Sequence, residues 1–201
     1  MYLIGITGGV GAGKTEILSF IKKHYNCKIY LADEVAHLVQ SPGEKCYEEI
    51  VSLLGKEILT DTGSVDKGKM AAVIFNNAEL LEKVNAIVHP AVKEYLKQAV
   101  EEVRREGSAE LFFIEAALLI ESGYKDFVDE MWYIHASDEV RRMRLMQSRG
   151  YSPEKIAQIM SKQLAEEEFR KNADFIIDNS GTLESAYSQI KKRLEAYTWQ
   201  E

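Results

Sequence analysis

The segment that most constrains this chain is a glycine-rich stretch near its start, where residues 8–15 read GGVGAGKT. An apolar run, Tyr2 to Thr7, precedes this stretch, and a helical pattern, Lys14 to His24, follows it directly. Glycines allow a loop to curl so that its backbone N–H groups point at an anion, while the following helix presents its positive end. The motif G-x-x-x-x-G-K-[ST], between a strand and a helix, therefore predicts a loop that binds the phosphates of a nucleoside triphosphate.

The same motif predicts a role for individual residues. We expect Lys14 to reach the β- and γ-phosphates of ATP, and the Thr15 hydroxyl to be a ligand of Mg²⁺. Mg²⁺ is the one metal that the sequence implies, because four scattered histidines and two distant cysteines do not form a metal cluster. The candidate nucleotide-binding residues of this segment are Gly8, Gly9, Val10, Gly11, Ala12, Gly13, Lys14, Thr15 and Glu16.

Five short runs of apolar or β-branched residues are predicted to be strands, at 2–7, 28–31, 111–115, 130–135 and 174–177. They show little alternation of polar and apolar residues, which is typical of a parallel sheet buried on both faces. Helical patterns separate the strands, among them an apolar stripe that follows Pro90, predicted to be a first-turn proline. The alternation of strands and helices predicts an α/β fold of the P-loop NTPase type, a three-layer sandwich with a five-stranded parallel sheet.

Two long segments interrupt this predicted core. The roughly 75 residues between the second and third strands are too many for a simple crossover, and their pattern is helical. A basic segment, broken near its middle by Gly150 and Pro153, separates the fourth and fifth strands. We therefore predict a nucleotide-binding core of residues 1–33, 105–140 and 173–201, a helical acceptor-binding insertion of residues 34–104, and a lid of residues 141–172.

The charge distribution suggests the kind of ligand. The chain has a net charge of −7, which argues weakly against nucleic acid as its main partner. Between Arg141 and Lys171, however, eight basic and four acidic residues give a net charge of +4, so the remainder carries −11. A polyanionic ligand would explain such a cationic segment in an acidic protein. The run Lys191-Lys192-Arg193, in contrast, is predicted to lie on the solvated face of the last helix.

The sequence also indicates where the protein acts. Apolar runs such as Ala116 to Ile120 are far shorter than the ~20 residues needed to span a bilayer, and the first residues resemble a strand more than a signal peptide. Cys27 and Cys46 are expected to be free, buried thiols. These features predict a cytoplasmic protein, a monomer or small homo-oligomer, with a small-molecule substrate and neither a membrane nor a nucleic-acid partner.

Three classes of P-loop protein remain to be distinguished: a small-molecule kinase, a regulatory GTPase and an ATPase that drives mechanical or assembly work. A GTPase should carry an N-K-x-D segment after a late strand, whereas residues 178–181 here read DNSG. The strand at 111–115 ends in Glu115, as the Walker-B strand of an ATPase would end in an acid, so that class stays open. A kinase needs an acceptor-binding unit, an arginine-rich lid and a carboxylate near the attacking oxygen. The insertion, the basic segment and Asp33 could fill these roles, which favours a kinase for an anionic alcohol.

Asp33 follows the second predicted strand, at the edge where open α/β sheets bind ligands. We predict that it is the general base or orients the acceptor hydroxyl. The alternative is that Asp33 is the N-cap of a helix that begins at Glu34, and both roles are compatible.

Seven segments together resemble the dephospho-coenzyme A kinase family. They are GITGGVGAGKT at the start, ADEVAH (32–37), TGSVDKGKMAAVIF (62–75), VHPAV (88–92), EAALLIESG (115–123), RLMQSRG (144–150) and ADFIIDNSG (173–181). Their order is specific and spans nearly the whole chain. The resemblance implies transfer of the ATP γ-phosphate to the ribose 3′-hydroxyl of dephospho-CoA, on a parallel-sheet core with a helical CoA-binding subdomain and a mobile lid. A nucleoside monophosphate or shikimate-type kinase is the alternative, and a P-loop ATPase is less favoured.

The resemblance also implies roles for single residues. Asp33 and Lys14 would be catalytic, and Arg144 and Arg149 match lid arginines that close on phosphate groups. Asn179 and Gly181 match the loop beside the adenine. The substrate-binding candidates are Asp33, His37, His89, Glu115 and Leu118. Where the family usually has an aspartate, a proline and a basic residue, this chain has Leu31, Ala117 and Phe169.

Overall fold

The structure is a computed structural model that describes residues 1–75 and 77–197. Over these residues the chain forms five strands and nine α-helices, with a single 3-10 turn at Lys56–Ile58. In order they are β1 Tyr2–Thr7, α1 Lys14–His24, β2 Cys27–Leu31, α2 Ala32–Val39, α3 Lys45–Leu54, α4 Lys67–Ile74, α5 Ala78–Glu106, β3 Leu111–Glu115, β4 Glu130–His135, α6 Asp138–Arg149, α7 Pro153–Ser161, α8 Glu166–Asn172, β5 Phe175–Asp178 and α9 Leu183–Glu195. The chain divides into a first unit, residues 1–29 with 109–201, and a second unit, residues 30–108.

All five strands belong to one sheet, in the order β2-β3-β1-β4-β5. The central strand β1 runs parallel to β3 and β4, with Ile4 opposite both Phe113 and Glu130, and β4 runs parallel to β5. Side chains on both faces of β1, β3 and β4 are buried, which explains why these strands read as continuous apolar runs. The predicted α/β fold with a five-stranded parallel sheet is confirmed.

Two strands differ from the prediction by one residue: β2 begins at Cys27, and β5 runs from Phe175 to Asp178. The aspartates that precede β4 and β5 extend the sheet with their side chains. Asp129 Oδ2 accepts a hydrogen bond from Leu3 N at 2.7 Å, and Asp174 Oδ2 accepts one from Met131 N at 2.8 Å. Each carboxylate thus satisfies a backbone donor at the end of a neighbouring strand, where the regular ladder stops.

The longest helix, α5, contradicts one sequence prediction. It runs for 29 residues and contains Pro90 in its interior, so the prediction of a first-turn proline is wrong. A proline inside a helix removes one backbone hydrogen bond and costs about 3 kcal/mol. The helix continues through it because the buried stripe begins earlier: Val84 and Val88 are buried in line with Val92. Packing of this stripe, against α2 and α3, outweighs the local cost.

The prediction of free thiols is confirmed for both cysteines. The prediction that both are buried holds for Cys46 alone, since Cys27 is only half-buried. In the part of the chain that the structure describes, no helix combines the length and the apolar character needed to cross a membrane.

The last helix is joined to the sheet through Glu130, a buried carboxylate at the start of β4. Glu130 Oε2 accepts hydrogen bonds from Trp132 Nε1 at 2.8 Å, from Arg193 Nε at 3.2 Å and from the Tyr197 hydroxyl. The prediction that Arg193 lies on a solvated face is therefore wrong, although the two lysines before it are exposed. Burial alone raises the pKa of Glu130, but the hydrogen bonds from Tyr197, Trp132 and Arg193 outweigh it and lower that pKa.

Replacing Arg193 with methionine should lower the free energy of unfolding by about 2–3 kcal/mol, because a buried carboxylate loses its counter-ion. Lys192→Met is the matched control, since Lys192 is exposed one position earlier, and we expect a change within about 0.5 kcal/mol. Because the folded pKa of Glu130 is lowered, its stabilisation is present at neutral pH and is lost as pH falls through that pKa. Urea denaturation of both variants at pH 7 checks the prediction, and equal effects would contradict it.

Candidate active site

The loop of residues 8–13 joins β1 to α1, and its carbonyl oxygens are held by hydrogen bonds. The oxygen of Gly8 accepts a bond from Lys14 Nζ at 2.7 Å, and the oxygen of Gly9 accepts one from Ala12 N at 3.1 Å. The next three carbonyl oxygens accept bonds from side chains of α6 and of the loop after β5. Since the C=O and N–H groups of a peptide point in opposite directions, carbonyls held in this way favour a loop whose amides face an anion.

Gly11 shows how closely this loop packs against α6. Its φ is 80°, a conformation that disfavours side chains, and a Cβ placed there would lie 2.9 Å from the Arg141 carbonyl oxygen. A side chain at this position would therefore push α6 away from the loop.

Two arginines of α6 provide the hydrogen bonds to the loop. Arg141 Nε donates to Val10 O at 2.9 Å, and Arg144 Nη1 donates to Ala12 O at 3.3 Å and to Gly11 O at 3.5 Å. The contact of Arg144 with phosphate groups stays a prediction, since its guanidinium here lies against backbone carbonyls. From the sequence, Arg141 was predicted only as one of the charges of a basic segment. The available signal was its spacing of three residues from Arg144, which places both on one helix face.

Arg149 lies at the last position of α6 and is exposed, with its Cζ 5.9 Å from the centroid of the Tyr151 ring. It makes none of the loop contacts that Arg144 makes, and its predicted role on phosphate stays a prediction.

Asn179, directly after β5, is fully buried beside the loop. Its Nδ2 donates to Ala12 O at 2.8 Å, its backbone N donates to His135 O at 2.8 Å, and its carbonyl oxygen accepts from Arg144 Nη2 at 2.8 Å. Its Oδ1 is buried and accepts no hydrogen bond from the residues that the structure describes. A buried acceptor left unpaired costs about 1–3 kcal/mol, which favours a ligand or water that donates to it. Asn179 is therefore well suited to accept a hydrogen bond from a bound nucleotide, whereas Gly181, two residues later, is exposed.

Lys14 and Glu115 form an ion pair where β1 and β3 lie side by side. Lys14 Nζ is 3.5 Å from Glu115 Oε1, and the two side chains are only 17% and 15% exposed. Glu115 was predicted to bind the substrate, and in the structure its carboxylate pairs with Lys14. Its contact with substrate stays a prediction. Leu118, three residues further, is half exposed and makes no such contact with Lys14.

The residues around this ion pair fit a magnesium ion. The Thr15 side chain is exposed in the first turn of α1, and its hydroxyl and the Glu115 carboxylate are the hard oxygen donors that Mg²⁺ prefers. Over residues 1–75 and 77–197, no three His, Cys, Asp or Glu side chains are grouped so as to hold a metal ion. This donor set fits an ion that brings most of its ligands with it, as phosphate oxygens and water.

In the second unit, Asp33 lies in the first turn of α2 and is exposed. The helix begins at Ala32 and its N-cap residue is Leu31, so the prediction of an N-cap at Asp33 is wrong. The apolar Leu31 makes no side-chain cap, and Asp33 contributes its charge to the helix N-terminus.

Asp33 and His37 are four residues apart and share one face of α2. Partial burial lowers the pKa of His37, Lys67 lowers it further, and Asp33 acts in the opposite direction. These three side chains therefore form a polar group of mixed charge within the second unit. His89 lies on α5 and is exposed, and its contact with the substrate stays a prediction.

The second half of the basic segment is anchored to the sheet by Phe169. This residue is buried, and its ring stacks on Tyr133 with centroids 4.8 Å apart and an interplanar angle of 4°. On the same helix, Glu166 Oε1 lies 2.7 Å from Arg170 Nε and 3.6 Å from His135 Nδ1. The aromatic ring of Phe169 thus fixes α8 on β4.

Comparison with known proteins identifies the family. Residues 2–185 match the sequence model of dephospho-CoA kinase. The dephospho-CoA kinase of Carboxydothermus hydrogenoformans is 33% identical over 199 residues, covering 99% of this chain and 96% of the relative. That of Aquifex aeolicus is 36% identical over 199 residues, covering 98% of each.

Solved structures agree with the fold. A Thermus thermophilus protein of 28% identity superposes with a TM-score of 0.79 and covers 97% of both chains. A shikimate kinase from Acinetobacter baumannii, at 12% identity and a TM-score of 0.55, covers 100% of this chain and 96% of its own, and shares the fold alone. With the matched region running almost from end to end, this chain belongs to the dephospho-CoA kinase family.

Proposed function

We propose that this protein transfers the γ-phosphate of ATP to the ribose 3′-hydroxyl of dephospho-CoA, giving coenzyme A and ADP. The observation that carries the proposal is the phosphate loop, with its carbonyls held by Lys14, Arg141, Arg144 and Asn179, in a chain of this family. A P-loop ATPase and a nucleoside monophosphate or shikimate-type kinase are the alternatives that the experiment below must exclude.

On the nucleotide side, the N-terminus of α1 and the remaining loop amides would bind the phosphates of ATP. The amides of Val10 and Ala12 donate within the protein, to Gln163 Oε1 and Gly9 O. Lys14 would leave its position on Gly8 O and Glu115 to stabilise the charge on the β- and γ-phosphates. Mg²⁺, when bound, would neutralise charge on the phosphates, with Thr15 as its protein ligand. Asn179 Oδ1 supports an adenine site because it is a buried acceptor in need of a donor, which the exocyclic amine of adenine could supply.

On the acceptor side, Asp33 would orient the ribose hydroxyl or accept its proton, and His37 would contribute to binding the substrate. Residues 34–104 would form the acceptor-binding domain and residues 141–172 the lid. His89 and Leu118 would line the substrate site, and Arg149 would close on phosphate with Arg144. A lid that excludes water would direct the γ-phosphate to the alcohol.

The state of the cysteines supports a cellular location for the protein. The two free thiols, Cys27 and Cys46, support a reducing compartment, which for this enzyme would be the cytoplasm. A monomer or small homo-oligomer without a nucleic-acid partner is consistent with a net charge of −7.

The acceptor itself is the decisive test. Purified protein with Mg-ATP is offered dephospho-CoA, shikimate, pantothenate and nucleoside monophosphates, and both ADP release and product mass are followed. We expect kcat/KM for dephospho-CoA to exceed that of the others by at least about 10²-fold, because only it fills a site for a nucleotide and a long arm. The product should carry one added phosphoryl group on the ribose 3′ oxygen.

The same assay without acceptor separates the kinase from an ATPase. We expect ADP release to be slow, because a kinase must protect the γ-phosphate from water. Fast acceptor-independent hydrolysis would favour the ATPase alternative. If a nucleoside monophosphate is the best acceptor, the roles of the phosphate loop remain and the assignment to coenzyme A fails.

A further inference from the structure

One backbone unit of the phosphate loop, Val10, is held at both of its polar groups by two side chains from distant parts of the chain. Arg141 Nε donates to Val10 O at 2.9 Å, and Gln163 Oε1 accepts from Val10 N at 3.2 Å. Arg141 Nη2 also donates to the same Gln163 oxygen, at 2.5 Å. Arg141, Gln163 and the Val10 backbone therefore form a closed ring of hydrogen bonds. The Arg141–Gln163 pair therefore acts on the loop as one unit.

The loop has no side chain where this pair lies. A Cβ at Gly9 would be 2.5 Å from Arg141 Nη2, 2.7 Å from its Cζ and 3.1 Å from Gln163 Oε1. Contacts below 3.0 Å force a neighbour to move, so an alanine at this position would displace the pair. The glycine at position 9 is thus required for the close approach of the two side chains.

Both members of the pair are themselves held in place. Arg141 Nη1 also contacts Asp138 Oδ1 at 3.2 Å, one turn earlier on α6, and the Arg141 side chain is only 14% exposed. Gln163 lies in the turn between α7 and α8, and α8 is anchored to the sheet through Phe169. The position of Val10 is therefore set by two elements far from it in sequence.

We propose that Arg141 and Gln163 are positioning residues that hold the phosphate loop in its nucleotide-binding conformation. They act through the backbone of Val10 and need not touch the nucleotide. Without them, the loop would sample other conformations and would have to be ordered when ATP binds, which weakens binding. The inference rests on the proposed nucleotide site, but it concerns residues that the phosphate-loop motif does not contain.

Gln163→Met gives the cleanest test, because it keeps the length of the side chain, removes the accepting oxygen and changes no charge. We expect ATP binding, measured by titration calorimetry without acceptor, to weaken roughly 5- to 20-fold, as for one or two net hydrogen bonds. The KM for dephospho-CoA should change by less than about twofold, a split that a merely structural role would not produce. Gln158→Met, an exposed glutamine on α7, is the matched control and should bind ATP like the wild type.

Arg141→Met and the double variant complete a mutant cycle. The two side chains share one ring of hydrogen bonds, so their effects should not add. The ATP affinity of the double variant should be at most about twofold lower than that of whichever single variant binds ATP more weakly. If Arg141→Met does not fold, Arg141→Lys replaces it in the cycle, since lysine keeps the charge but cannot reach Val10 O and Gln163 together.

The outcomes are distinguishable. If wild-type protein does not bind ATP, the proposed function fails and this inference fails with it. If wild-type protein binds ATP and a folded Gln163→Met variant binds it equally well, or the effects of the two substitutions simply add, the positioning role is refuted and the proposed function is untouched.

Discussion

Replacing Lys14 with alanine should reduce the rate of phosphoryl transfer by at least about 10³-fold, because the γ-phosphate loses its positional cation. The structure adds a second reason for a large effect. Lys14 Nζ is 3.5 Å from Glu115 Oε1, so the alanine variant leaves a largely buried carboxylate without this partner beside the phosphate loop. Both changes disfavour an anion at this site. Initial rates with Mg-ATP and dephospho-CoA measure the effect.

Two variants separate these causes. Lys23→Ala removes the same charge from an exposed position in the last turn of α1 and should retain full activity. Combining Lys14→Ala with Glu115→Gln also removes the carboxylate charge, so ATP binding should recover in part while the rate of transfer stays low. Near wild-type activity of a folded Lys14→Ala variant would contradict the assignment of the phosphate loop.

Asp33→Asn should lower the rate of transfer roughly 10²–10⁴-fold while changing ATP affinity little, since it removes the proton acceptor at nearly constant size. The lower end of this range is expected, because the transition state of phosphoryl transfer is loose. Asp33 is not an N-cap residue, so stability should fall only by the loss of a first-turn charge, about 0.3–1 kcal/mol.

Glu34→Gln is the matched control for Asp33→Asn. Glu34 is exposed in the same first turn of α2, and its substitution removes the same charge from the same helix terminus. Single-turnover rates and thermal unfolding should therefore show similar stability for both variants but a loss of rate for Asp33→Asn alone. If the two variants lose activity equally, the charge at the helix N-terminus accounts for the effect, and the catalytic role of Asp33 is wrong.

The sequence by itself determined the strand–loop–helix unit at the start of the chain, the five strands and the family. Each of these is encoded locally. The phosphate-loop motif is a run of neighbouring residues whose glycines let the backbone curl, and a strand buried on both faces must be apolar throughout. The five strands therefore lie within one residue of their predicted boundaries, and Lys14 begins α1 as the motif requires.

Only the tertiary structure decided which side chains hold that loop. Arg141, Gln163 and Asn179 lie 131 to 167 residues from the loop residues that they contact, and no spacing rule connects them. Tertiary contacts also decided the position of Arg193, whose side chain bonds to the buried Glu130 and does not lie on a solvated face. They decided as well that α5 continues through Pro90, because the packing of the helix outweighs the cost of the proline. A polar side chain takes the partner that the fold brings to it, because a buried donor or acceptor left unpaired costs more than a local preference can supply.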